Sequence, residues 1–154
     1  MMIRRSLFVI TVLLTAGAIA NPLQAQTREA DNTVLPFTPV TPDRLLNAED
    51  EPHNWLMYSG SYKSQRYSRL DQLQGRNVGD LEIQWVYQLQ VLDRAETTPL
   101  VVDGVMYITE SPSTVIAVDA TTGRPYWRYQ HELPDDMVFC CGRNNRGVAV
   151  QGDH

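Results

Sequence analysis

Ala117-Val118-Asp119-Ala120-Thr121-Thr122-Gly123-Arg124-Pro125-Tyr126-Trp127 reads as one strand, a Thr-Gly turn and a second strand whose opening carries a tryptophan. Its second half has an earlier counterpart. Gln84-Trp85-Val86-Tyr87-Gln88 returns as Tyr126-Trp127-Arg128-Tyr129-Gln130, with Trp, Tyr and Gln in matching places and the two tryptophans 42 residues apart. A period of about 40–50 residues is that of one four-stranded propeller blade. The intervening sequence supplies the strands: Leu81–Gln90, Pro99–Val102, Val105–Thr109, Thr114–Asp119 and Tyr126–Gln130 are short, rich in Val, Ile, Tyr and Trp, and separated by turn residues. Between Val102 and Val105, Asp103-Gly104 provides the positive φ angles of a tight two-residue hairpin turn. The expected class is all-β.

The ends of the chain are organised differently. Met1–Ala25 carries Arg4 and Arg5, an apolar run from Leu7 to Ala20 and no acidic residue, the outline of a secretory signal peptide. The run falls short of the roughly 20 apolar residues of a membrane span. Cleavage after Ala20 or after Ala25 is compatible with the small residues there, and the general secretory route suits Arg4-Arg5-Ser6-Leu7-Phe8 better than a twin-arginine one. Residues 26–50 form an extended, Thr/Pro-rich lead-in and a short helix, with Thr41 as its cap and Pro42 in its first turn, where a missing N–H costs nothing. Residues 51–154 hold the β-rich remainder. Val148–His154 reads as a strand entering a turn with no returning strand, so the expectation is the N-terminal piece of a larger protein. Removing the leader takes the formal charge from −5 to about −7, which argues against nucleic acid or an anionic membrane as a partner.

Ala117-x-Asp119-x-x-Thr122-Gly123-x-x-x-Trp127 resembles the tryptophan-docking motif of the quinoprotein alcohol dehydrogenases, the methanol and ethanol dehydrogenase family that uses pyrroloquinoline quinone (PQQ). Trp55-x-x-Tyr58-x-Gly60, Arg66-Tyr67-Ser68-x-Leu70 and Asn77-Val78-x-x-Leu81-x-x-x-Trp85 are similar to that family's N-terminal pattern, so the resemblance runs from about Thr41 to His154. It implies part of an eight-bladed β-propeller, about one complete blade plus flanking strands. Trp85 and Trp127 are then structural rings packed between blades.

Cys140 and Cys141, the only cysteines, are adjacent and precede Gly142-Arg143-Asn144-Asn145-Arg146-Gly147. Neighbouring Cα atoms lie about 3.8 Å apart, closer than relaxed disulfides prefer, and two free thiols packed as small hydrophobes are the alternative in a reducing space. The resemblance implies a disulfide between them, forming a ring on one face of the quinone, in the pattern Cys-Cys-x-x-x-Asn-Arg-Gly. Arg146 inherits the role of the cofactor arginine, and a fixed guanidinium suits the negative charge that builds on an o-quinone during reduction. Glu96 matches a glutamate near the quinone. Arg143 has no counterpart and reads as a loop residue.

No other cluster carries chemistry. Glu49-Asp50-Glu51 and Asp135-Asp136 read as solvated loops, and His53, His131 and His154 as isolated residues without metal-ligand spacing. The general base and the ligands of a calcium or lanthanide ion are expected beyond residue 154, so no catalytic or metal residue is assigned here. The implied function is the N-terminal portion of a periplasmic enzyme that oxidises a primary alcohol to an aldehyde and passes electrons to a cytochrome c. A non-catalytic propeller of the same repeats, acting as an outer-membrane assembly scaffold, is the alternative. It requires neither adjacent cysteines nor the arginine after them.

Overall fold

Asp103 and Gly104 sit at φ 49° and 84°, the doubly positive turn that Asp-Gly supports, and they reverse the chain between β1 (Leu100–Val102) and β2 (Val105–Glu110). β3 (Thr114–Asp119) and β4 (Pro125–Gln130) follow, each antiparallel to its predecessor, giving one four-stranded sheet in the order β1-β2-β3-β4. These bounds match the sequence expectation to within a residue. The computed structural model describes residues 38–153, so the leader Met1–Ala25 and most of the lead-in lie outside the described residues. Within them α1 spans Pro42–Leu46, capped by Thr41, whose Oγ1 accepts the Arg44 N–H at 3.2 Å.

Register assigns the side chains to two faces. Leu100 lies opposite Tyr107, Tyr107 opposite Ala117 and Ala117 opposite Trp127, so these share the first face. There Leu100 and Val102 bury against Val40, Ala48, Leu56 and Val150, with Trp55 and Tyr107 packed around them. On the second face Ile108, Ile116 and Val118 bury beneath Trp85, Tyr87 and Leu89. Trp55 extends the sheet past β1 through a bridge to Val101, with N···O distances of 2.8 and 3.1 Å.

Two expected strands are corrected. Leu81–Gln90 is extended, and Trp85, Tyr87 and Leu89 are half-buried while Val86, Gln88 and Gln90 are exposed, so the period of two holds. It forms no ladder, because it lies over a face of the sheet, where side chains meet, and not along an edge, where backbone groups pair. Val148–Gln151 likewise forms no strand. A bridge at Gly152 joins it to Val40 in the lead-in, with N···O distances of 2.7 and 2.9 Å.

The Thr-Gly turn is where sequence and packing meet. Asp119 accepts from the backbone N–H groups of Thr121 and Thr122 at 2.8 and 3.0 Å and from the Thr121 hydroxyl at 2.6 Å, while Tyr126 donates to its other oxygen at 3.1 Å. Those hydrogen bonds, the Thr121 hydroxyl first, hold its carboxyl down at about 2. Gly123 has φ 69°, and a Cβ there would stand 2.5 Å from Cε3 of Trp85. Glycine is thus required twice, by backbone conformation and by the ring that covers it. The Trp85 indole N–H completes the dock by donating to the Ala120 carbonyl at 3.1 Å.

Candidate functional site

Beyond β4 the chain turns back over the sheet in the loop that carries the adjacent cysteines. Gly142, at φ 95°, makes the bend after them, and the Asn144 side chain holds it by donating to the Cys141 carbonyl at 3.3 Å. Cys140 and Cys141 are exposed thiols with Sγ atoms 2.9 Å apart. Contact with Cys140 pushes the Cys141 thiol above its ordinary range, a smaller desolvation adds to this, and the positive charge of Arg146 opposes it. The positive charge of Arg146 thus acts on the Cys141 sulfur.

Arg146 is two-thirds exposed and its Nη2 lies 2.6 Å from Oε2 of Glu96, whose side chain is one-third exposed. Glu96 comes from the segment entering β1 and Arg146 from the loop 50 residues later. The structure thus brings all four sequence-assigned residues, Glu96, Cys140, Cys141 and Arg146, to one end of the sheet. The Arg143 guanidinium lies 5.7 Å from the Phe139 ring.

Sequence reading missed the residues that hold these loops. β2 ends in Thr109 and Glu110 and is followed by Ser111, all three buried, and Thr114 begins β3, also buried. The Thr109 hydroxyl donates to the Asn145 carbonyl at 2.9 Å, the Ser111 hydroxyl donates to the Arg143 carbonyl, and Asn145 Nδ2 donates to the Thr114 carbonyl at 3.4 Å. Glu110 accepts from the Gln90 N–H at 2.7 Å and from Arg128 Nη2 at 2.9 Å. The available signal was the polar run Thr109-Glu110-Ser111 closing a strand whose first residues are apolar.

The acidic loop is also corrected. Glu51 is not a solvated carboxylate and His53 is not isolated, because Glu51, His53 and Asp103 place ligand atoms within 4.8 Å of one another. Arg44 already neutralises this cluster. Its guanidinium reaches Glu51 at 2.9 and 2.6 Å and Asp103 at 3.0 Å, which lowers the Glu51 carboxyl and raises Arg44 itself. Burial acts to raise Asp103, but hydrogen bonds from Arg44, Thr38 and Asn54 bring it below its ordinary value. The cluster ties α1 to the β1–β2 turn. Glu49, too, is paired, with Lys63 at 2.8 Å.

Comparison with known proteins now bears on this geometry. Residues 55–154 match the PQQ family model, described as the glucose/ethanol/alcohol dehydrogenase β-propeller domain. The chain belongs to this family. The matched region begins at Trp55, the first residue of the N-terminal pattern, and contains the whole sheet and the cysteine loop. The dehydrogenase subunit of the quinone alcohol dehydrogenase of Acetobacter aceti is 41% identical over 148 residues, which is 95% of this chain and 19% of that one. Among solved structures, quinohemoprotein alcohol dehydrogenase ADHIIG of Pseudomonas putida HK5 superposes with a TM-score of 0.65 at 42% identity, covering 73% of this chain and 17% of its own. The quinohemoprotein alcohol dehydrogenase of Comamonas testosteroni gives a TM-score of 0.57 at 34% identity over 71% of this chain and 18% of its own. The chain spans about a fifth or less of the length of each of these relatives. All-β propeller architecture, expected from the repeat, is what the PQQ family match and these superpositions show.

The site's own chemistry fits the family's cofactor. PQQ is a flat, acidic o-quinone, and the loop offers an exposed guanidinium and an exposed sulfur pair.

Proposed function

We propose that this chain is the N-terminal portion of a PQQ-dependent alcohol dehydrogenase that oxidises a primary alcohol to an aldehyde and passes the electrons to a cytochrome c. The observation that carries the reading is the convergence of Glu96, Arg146 and the Cys140-Cys141 pair at one end of the sheet in a member of the PQQ family. Bound there, PQQ supplies the two-electron acceptor. Arg146 places a permanent positive charge where negative charge develops, and Glu96 orients that guanidinium. Cys140 and Cys141 form one wall of the site. Export to the periplasm, supported by the Met1–Ala25 pattern, places them in an oxidising space, where a thiol oxidant takes two electrons and two protons from the pair to form a disulfide and removes two nucleophilic thiols from beside an electrophilic quinone. The metal ion, calcium or a lanthanide, takes its ligands from the parent beyond residue 154. Coverage of a fifth or less of each relative supports the reading as a portion.

The test is Arg146→Ala in the full-length enzyme. Loss of one charge-assisted hydrogen bond predicts a turnover at least about tenfold lower, with an unchanged urea midpoint because the side chain is exposed. An undiminished rate would remove Arg146 from the site. In the same preparation, thiol titration before reduction should find neither cysteine free.

A further inference from the structure

The site described above is assembled from two loops far apart in sequence, and something must fix the distance between them. Thr109 is 1% exposed and stands on the first face of the sheet at the end of β2. Its backbone N–H donates to Thr97 Oγ1 at 3.0 Å, one residue after Glu96. Its hydroxyl donates to the Asn145 carbonyl at 2.9 Å, one residue before Arg146, with the Gly147 carbonyl as a second acceptor at 3.4 Å. One buried residue therefore grips the immediate neighbour of each partner in the Glu96–Arg146 pair. The neighbourhood is tight, since a Cβ at Gly147 would meet Asn145 Oδ1 at 3.2 Å and Thr109 Cγ2 at 3.8 Å.

We propose that Thr109 is a positioning residue for the cofactor site, setting the placement of Arg146 against Glu96 from the sheet beneath without touching the cofactor. This rests on the assignment of Glu96 and Arg146 under the proposed function. The physical argument is one of leverage. Arg146 is two-thirds exposed and would sample many rotamers, so its placement depends on the backbone from which it hangs. That backbone is held at Asn145 by a hydrogen bond from a side chain that is almost fully buried. Asn145 adds two further restraints, accepting the Gly147 N–H on Oδ1 at 3.0 Å and donating to the Thr114 carbonyl at 3.4 Å.

The test measures the dissociation constant for PQQ by quenching of tryptophan fluorescence in the full-length protein, with urea midpoints recorded in parallel. Thr109→Val keeps the shape and the backbone N–H but deletes the hydroxyl, and the expected loss of affinity is about fivefold, the scale of one uncharged hydrogen bond. Thr109→Ser should restore the wild-type constant. In an Arg146→Ala background Thr109→Val should add nothing, because it acts through the guanidinium. Wild-type affinity in Thr109→Val, or a full fivefold loss persisting without Arg146, overturns the positioning role while leaving Arg146 its own. Wild-type affinity in Arg146→Ala alone overturns both the proposal and the reading beneath it. Should Thr109→Val lose cooperative unfolding, Thr97→Val removes the restraint from the other loop with the same expected loss, and wild-type affinity there overturns the proposal.

Discussion

Two stretches with the same five-residue pattern have opposite fates in this protein. Gln84–Gln88 has no ladder, yet its tryptophan is half-buried, docked over the Gly123 turn and hydrogen-bonded to Ala120. Tyr126–Gln130 is a regular strand paired along β3, yet Trp127 is 38% and Tyr129 57% exposed, with Trp127 resting on the Tyr107 ring at 6.0 Å. The contrast separates two things that a strand pattern usually implies together. Alternation sets which side chains share a face, whereas ladder pairing and burial each need a neighbour, one at the edge and one over the face. The two copies have each found one neighbour and not the same one.

Glu110 joins the two regions, accepting from Gln90 just after the first copy and from Arg128 inside the second. Glu110→Ala should therefore break both at once. Leaving a part-buried guanidinium and a backbone donor without their carboxylate costs about 3 kcal/mol, read as a shift of the urea midpoint. If the midpoint does not move, the carboxylate is no link between the regions. Gly123→Ala attacks the first copy alone. A residue other than glycine at φ 69° and a displaced Trp85 ring together cost about 2 kcal/mol, and near-ultraviolet circular dichroism should show the indole released. Trp127→Ala attacks the second copy, and since its ring is more exposed and makes one aromatic contact, the expected cost is about 1 kcal/mol. A larger effect than that of Gly123→Ala would reverse the comparison.

The smallest effect is on the acid limb. Asp119 is held at about 2, below the ordinary carboxylate value near 3.9, so it binds its proton less readily when folded. Its contribution is full above pH of about 4 and is lost as the pH falls through about 2. Asp119→Asn should flatten the stability profile across that window, lowering the urea midpoint above about pH 4 and converging with the unsubstituted protein near pH 2, as measured in a pH series.

The sequence by itself determined the local architecture of this protein. β1 to β4, the Asp103-Gly104 and Thr122-Gly123 turns and the Thr41 cap were legible because period, turn chemistry and capping are properties of a few adjacent residues. The family was legible as well, because motifs such as Ala117 to Trp127 are contiguous. Tertiary structure alone decided the rest. That Leu81–Gln90 lies over a face, that Val40 pairs with Gly152, and that Arg44 sits among Glu51 and Asp103 all depend on partners many residues away. The same holds for Thr109 and Glu110, whose polar side chains look like ordinary strand-end residues in sequence. They are buried because each satisfies a backbone or charged group that only the folded chain brings within reach, and an unpaired polar group there would cost more than the burial of an apolar one returns.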